Sequence, residues 1–328
     1  MSSLQDPNFE RDIGEAQKQI DDLAASAEES GLDVSAEISE LRAKLENLKE
    51  WKHKDLTPME QVEMARHQDR PYTLDYIDLI FTDWIELHGD RSFRDDEAII
   101  GGWASIGEHS VMVVGHQKGR DIKENLRRNF GMAHPEGYRK ALRLMHQAEK
   151  FKKPVVTFID TPGAYPGLGS EERGVAEAIA RNLREMARLR VPILSVVIGE
   201  GGSGGALGLG VTDRIVMLEH SVYSLISPEG CAAILWRSRD FKAEAAKALK
   251  LTSGDLVDLG VADEVIPEPI GGAQSDWQKI ATSTKESIVR NLNELKQLDV
   301  NDLLGKRWQK YEAIGEWTES GSRAMGED

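Results

Sequence analysis

Gly199-Glu200-Gly201-Gly202-Ser203-Gly204-Gly205-Ala206 follows the apolar run Val191 to Ile198 and precedes a short Leu/Gly/Val stretch. Glycines let backbone N–H groups converge on a ligand, and a helix N-terminus directly after them adds unsatisfied donors and the positive end of the helix dipole. Such a segment suits a negatively charged oxygen. The same eight residues satisfy three patterns: Gly-x-Gly-x-x-Gly (Gly199, Gly201, Gly204), Gly-x-Ser-x-Gly (Gly201, Ser203, Gly205) and a plain oxyanion-binding turn.

The dinucleotide pattern follows a strand, and Glu219 stands about 20 residues on, as a ribose-binding acid should. Only eight residues, Ala206 to Asp213, separate Gly205 from the next strand, too few for the crossover helix of a Rossmann unit. The hydrolase pattern makes Ser203 a nucleophile on a strand-to-helix elbow. Its base would be His220, the only histidine downstream, with Asp213 or Glu219 as the acid, a triad compressed around one turn. An oxyanion site without a side-chain nucleophile needs no such partners. It gains from a second turn of the same kind, where Val155-Val156-Thr157-Phe158-Ile159 runs into Asp160-Thr161-Pro162-Gly163-Ala164-Tyr165-Pro166-Gly167. Asp160 to Gly163 resembles a GTPase switch, but Gly-x-x-x-x-Gly-Lys-Ser/Thr occurs nowhere. Two sequential strands ending in such turns would line one crevice at the carboxyl edge of a parallel sheet.

Working outward, short strands alternate with helices. Ala98 to Ile106 and Ser110 to Val114 read as paired strands around Gly107-Glu108-His109, and Pro154 to Ile159 and Pro192 to Ile198 as apolar strands. Further strands are expected over Arg214 to Leu218, Val222 to Ile226 and Val261 to Ile266. Helices are expected over Thr73 to Leu87 (capped by Thr73), Glu136 to Phe151, Glu171 to Leu189, from Ser227-Pro228-Glu229 onward, and over Trp277 to Leu295. Strand-then-helix units with apolar strands define an α/β class with a parallel sheet buried on both faces. Residues 1–56 differ in character. They are acidic, and Ile13, Ala16, Ile20, Leu23 and Ala27, then Ile38, Leu41, Leu45 and Leu48, recur at helical steps about a break at Glu29 to Asp33. This predicts a helical hairpin, followed by a core over 57–272 and a C-terminal helix and tail over 273–328.

The net charge of −15 argues against a general nucleic-acid binder. Residues 116–153 nevertheless hold eleven Lys and Arg, Lys118 and Arg120 among them, against four acids, a basic island fit for an anionic ligand or an acidic partner. No run approaches the roughly 20 apolar residues of a membrane span, and Met1 to Asp12 has no signal pattern, so a cytoplasmic location is expected. Cys231 is the single cysteine, which excludes an internal disulfide framework and any Cys₂ or Cys₄ zinc site, and no histidine pair has ligand spacing, so no metal is expected.

Several segments together resemble the α-subunit family of bacterial acetyl-CoA carboxylase carboxyltransferases. They are Arg70 to Tyr76, Gly115 to Arg120, Arg128 to Met132, Pro135 to Met145, Asp160 to Gly167, Glu171 to Gly174, the glycine run 199–205, and Ile226 to Cys231. The likeness spans about residues 65–272 in order and spacing. The resemblance implies a crotonase-like (ClpP/crotonase) superhelix of ββα turns. It also implies transfer of a carboxyl group from carboxybiotin, held on a biotin carboxyl carrier protein and loaded by biotin carboxylase, to acetyl-CoA, giving malonyl-CoA in fatty acid synthesis. The family works as an α₂β₂ assembly whose β subunit bears a zinc ribbon and most acyl-CoA contacts, while the α side receives biotin.

Gly204 and Gly205 match the family's α-side oxyanion positions, with Gly201 and Gly202 shaping the turn. That chemistry places negative charge on the oxygens of the biotin ureido group and of a thioester enolate, and backbone N–H donors stabilise both. The biotin itself can take the proton, so no protein base is required. Gly163, Ala164 and Tyr165 are expected to form the facing wall. Lys118 and Arg120 are candidates either for charge near CoA phosphates or the carboxylate, or for pairing with acids at a subunit interface. Glu200 is a candidate brace for the loop.

Overall fold

A computed structural model of the chain describes residues 55–315 together with Lys18, residues 20–23, Val34 and residues 37–43. The expected hairpin over 1–56 falls largely, and the tail from 316 wholly, outside the described residues.

Thr57 starts α1 (Pro58–Ala65), its hydroxyl accepting from Glu60 N at 3.3 Å while the Glu60 carboxylate accepts from Thr57 N at 2.7 Å. Next come α2 (Thr73–Ile80) and an antiparallel meander of β1 (Thr82–Glu86), β2 (Ile99–Ile106) and β3 (His109–His116). From there strands alternate with helices: α3 (Ile122–Arg127), α4 (Pro135–Lys150), β4 (Val155–Thr161), α5 (Leu168–Glu172), α6 (Val175–Met186), β5 (Ile193–Gly202), α7 (Ser203–Leu207), β6 (Arg214–Leu218) and β7 (Val222–Ser224). The described chain closes with α8 (Pro228–Leu235), α9 (Lys242–Leu249), α10 (Ser253–Asp258), β8 (Glu264–Ile266), α11 (Trp277–Leu295) and α12 (Val300–Glu312). The sheet order is β1-β2-β3-β4-β5-β6-β8, with β7 added to the far end of β5, and every pairing from β3 onward is parallel.

β4 and β5 are buried at every residue, which is why both stand in the sequence as largely apolar runs. One face packs against Tyr138, Leu144 and Met145 of α4 and Ala178 and Met186 of α6. The other packs against Tyr76 and Ile77 of α2 and Ile280, Ile288 and Leu292 of α11. The carboxyl ends of β4 and β5 thus emerge side by side from a core closed on both sides.

Two expected helices are corrected. Thr73 to Leu87 is a helix only to Ile80; Tyr72, not Thr73, is its N-cap, and the Thr73 hydroxyl instead donates to His116 O. Asp83 then turns through φ 56°, and Thr82–Glu86 pairs with β2, where Ile85 O comes so close to Gly102 that a Cβ there would lie 2.1 Å away. Pairing with the sheet edge overrides the helical periodicity of this stretch. The long helix expected over Glu171 to Leu189 is broken at Gly174, whose φ of 78° lies in the left-handed region, so α5 and α6 are separate.

Candidate functional site

The glycine run is not a loop. Gly199 to Gly202 complete β5, with Glu200, Gly201 and Gly202 paired to Val222, Tyr223 and Ser224 of β7 and Gly201 also opposite Thr161 of β4. Gly202 is the N-cap of α7 and offers no side-chain acceptor. The N–H groups of Ser203, Gly204 and Gly205 occupy the first turn, where helix geometry provides no intrahelical acceptor. Gly204 is half-buried and Gly205 buried.

The turn after β4 closes on this point. The Thr161 hydroxyl donates to Gly163 O at 2.8 Å and accepts from Gly163 N at 3.1 Å, and Tyr165 N donates to Ala133 O at 3.0 Å. The Tyr165 ring stands edge-on to His134, centroids 4.5 Å apart. Contact between the two turns is main chain to main chain. A Cβ on Gly202 would lie 2.3 Å from Pro162 O, and one on Gly205 2.4 Å from Gly163 C and 2.5 Å from Ala164 N. Gly204 is different: the nearest atom to a Cβ there is Ile179 Cδ1 at 3.7 Å, ordinary contact. The structure therefore brings Gly201, Gly202, Gly204 and Gly205 together with Gly163 and Ala164, while Tyr165, next in the chain, packs on His134.

The charged candidates lie in ion pairs within the chain. Lys118 Nζ donates to Asp160 Oδ1 at 2.5 Å, both side chains largely buried. Arg120 pairs with Asp75, donates to Gln68 O at 2.6 Å and sits 3.8 Å above the Tyr72 ring. Glu200 accepts from Arg66 Nη2 at 2.6 Å, and Arg66 also reaches Glu229 at 2.7 Å, tying α1 to β5 and α8. Much of the basic island is likewise paired: Arg128 with Glu124, Arg139 with Asp90 and Lys140 with Asp95. His116 lies beneath the site, fully buried, and burial pushes its pKa down to about 4 against the opposing pull of Asp160.

Residues that sequence reasoning passed over stand behind the glycines. Arg70, 1% exposed, donates to Ile198 O and pairs with Glu268 at 2.6 Å. Asp160 was visible only as part of a turn. The available signal was its place as a carboxylate ending a wholly apolar strand, since a buried charge demands a partner.

The hydrolase reading is not supported. β5 and β6 are parallel, and Asp213 N bonds Ile193 O, so Asp213 stands at the start of β5 while Ser203 follows its end, roughly 30 Å of strand away. There both Asp213 oxygens are taken by Arg307, at 2.8 and 2.7 Å. Ser203 is exposed and His220 is 2% exposed, with its backbone N–H on Glu268.

Among the described residues no group of three or more His, Cys, Asp or Glu could hold a metal, and no helix is long and apolar enough to cross a membrane. The fold is of the crotonase-like class that the chain's solved structural neighbours share. The chain superposes on transcarboxylase 12S with a TM-score of 0.54, at 21% identity over 71% of this chain and 45% of that one. With the β subunit of P. aeruginosa geranyl-CoA carboxylase the TM-score is also 0.54, at 15% identity over 79% of this chain and 46% of that one.

The family model described as acetyl co-enzyme A carboxylase carboxyltransferase-like matches residues 7–315. The chain is 55% identical to acetyl-coenzyme A carboxylase carboxyl transferase subunit alpha of Gemmatimonas aurantiaca over 95% of this chain and 98% of that protein. The same subunit of Geobacter metallireducens is 53% identical over 97% of this chain and 100% of that protein. The chain belongs to the family of acetyl-CoA carboxylase carboxyltransferase α subunits, and its class of activity is carboxyl transfer.

Proposed function

We propose that this chain forms the biotin-facing half of a carboxyltransferase site that converts acetyl-CoA to malonyl-CoA in the cytoplasm. Biotin on a carrier protein, once carboxylated by a biotin carboxylase, supplies the carboxyl group. The backbone N–H groups of Gly204 and Gly205 hold the ureido oxygen of that biotin, and Gly163, Ala164 and Tyr165 border it. The observation that carries this reading is the main-chain contact of Gly205 with Gly163 and Ala164. It sets two bare turns against each other at the end of a buried sheet, and a side chain at Gly205 would fill the contact. Donors fixed by a rigid core need no reorganisation as charge builds on the oxygen, which is what makes such a site effective.

Glu200, held by Arg66, and the paired Lys118 keep charge off the binding face and leave neutral amides to it. The acyl-CoA is received by a β subunit bearing the structural zinc, in an α₂β₂ assembly. Reconstitution tests this. The chain alone should be inactive, and adding the β partner should yield malonyl-CoA-dependent carboxylation of free biotin. Transfer by the purified chain alone would sink the divided site.

A further inference from the structure

Opposite Asp160 the ladder between β4 and β5 slips. Ile159 pairs with Val197 and Thr161 with Gly201, so the single residue Asp160 faces three, Ile198, Gly199 and Glu200. The pairing of β5 with β6 ends at Val197 and that with β7 begins at Glu200, so Ile198 and Gly199 are unpaired on the other edge as well. A bulge strips main-chain groups of their ladder partners, and a buried group left so is costly.

Two buried side chains take up the freed groups. Ile198 O accepts from Arg70 Nε at 3.2 Å and Nη2 at 3.0 Å, and Glu200 N donates to Asp160 Oδ1 at 3.0 Å. The seat is tight: a Cβ on Gly199 would lie 2.5 Å from Asp160 Oδ1 and 3.1 Å from Ala65 O. Asp160 is 3% exposed, and its charge is balanced by Lys118, which bonds the same oxygen. By advancing β5 two residues past β4, the bulge carries Gly202 onto Pro162 and Gly205 onto Gly163 and Ala164.

We propose that Asp160, charge-balanced by Lys118, is the positioning residue of the glycine amides: it holds the Glu200 N–H, locks the bulge and so aims Gly204 and Gly205. This rests on the reading that those two amides receive the substrate oxygen. Displacements of about 1 Å at such donors cost about 100-fold in rate. Lys118 thereby acts behind the site through Asp160, without touching substrate.

The test uses the reconstituted complex for kinetics and hydrogen exchange over residues 198–205 of the same protein. Asp160→Ala should lower kcat about 10- to 100-fold with the KM for acyl-CoA within about twofold, and speed exchange across 198–205. Lys118→Met, which strands the Asp160 charge, should lose both kcat and protection. Adding Asp160→Asn to Lys118→Met keeps an oxygen for Glu200 N and removes the stranded charge, and should restore at least about tenfold in kcat. That restoration decides the matter even should Asp160→Ala fail to fold. Faster exchange with unchanged kcat, unchanged exchange in Asp160→Ala, or no rescue by the double substitution would each overturn the proposal. A wild-type complex that transfers no carboxyl group would instead defeat the functional reading, while exchange would still report on the brace.

Discussion

The backbone nitrogen of Ala164 lies where a side chain on Gly205 would have to begin, 2.5 Å from an ideal Cβ position, whereas Gly204 one residue earlier has room for a methyl group. The two neighbours in the glycine run are thus under different packing constraints.

Gly205→Ala should therefore push the two turns apart. We expect a loss of about 1–3 kcal/mol in stability by denaturant unfolding and a fall in kcat of about 100-fold or more. Gly204→Ala should fold with unchanged stability, because the methyl group meets only Ile179. A Gly205→Ala protein as stable as wild type would contradict the contact.

Ser203 carries no nucleophilic duty in this arrangement and adopts φ 54°. Ser203→Ala should retain kcat within about threefold, well short of the loss of about 10⁶ that follows removal of a true nucleophile. Ser203→Gly should relieve a left-handed conformation that costs roughly 1–2 kcal/mol in an L-residue, offset in part by glycine's greater chain entropy. Thermal unfolding of the two variants reads the difference.

His116 makes stability depend on pH. Its pKa falls from 6.5 in the unfolded chain to about 4 in the fold, so between those values the unfolded state binds the extra proton. The contribution is complete above pH 6.5 and disappears as pH falls toward 4, to the extent of about 3 kcal/mol at most. Asp96, raised to about 6 by burial, acts in the opposite sense over part of this range. Comparing wild type with His116→Gln cancels that common effect. Urea unfolding at pH 7.5, 6 and 5 should show the variant losing less stability than wild type on acidification, and equal slopes would refute the assignment.

Arg70 and Glu268 form a buried pair. Burial alone would raise the Glu268 carboxyl, but Arg70 together with His220 outweighs it and holds the pKa below 4.5, so this stabilisation is present above pH 4.5 and lost as pH drops through the lowered value. Glu268→Gln leaves the Arg70 charge buried against Ile198 O with a neutral partner and should cost about 3–5 kcal/mol near pH 7. The cost should shrink as pH falls through the lowered Glu268 value, where wild type loses its own carboxylate. Denaturant midpoints across that range measure it.

Much of the fold was legible because its periodicities are strong. Val155 to Ile159 and Ile193 to Ile198 are almost wholly apolar, α4 begins one residue before the expected Glu136, and the eight residues after Gly205 are too few for a crossover helix. Where local pattern and sheet pairing competed, pairing won. Thr82 to Glu86 carries a helical stripe, yet lies on β2 because the sheet edge offers main-chain partners that an exposed helix end does not. Gly174 ended a helix that its flanking residues would have continued, through a backbone angle that periodicity does not encode.

The candidate site divides the same way. Which residues have no side chain, and that they follow apolar strands, is written in the order of the sequence, and so is the family. Which glycine is crowded and which is open depends on how far β5 runs past β4, and that register is set by Asp160 and Arg70 bonding main-chain atoms some 40 and 128 residues away. The charge on Lys118 could have served a ligand or a neighbour. Only the closed core, in which an unpaired Asp160 would be costly, directs it inward.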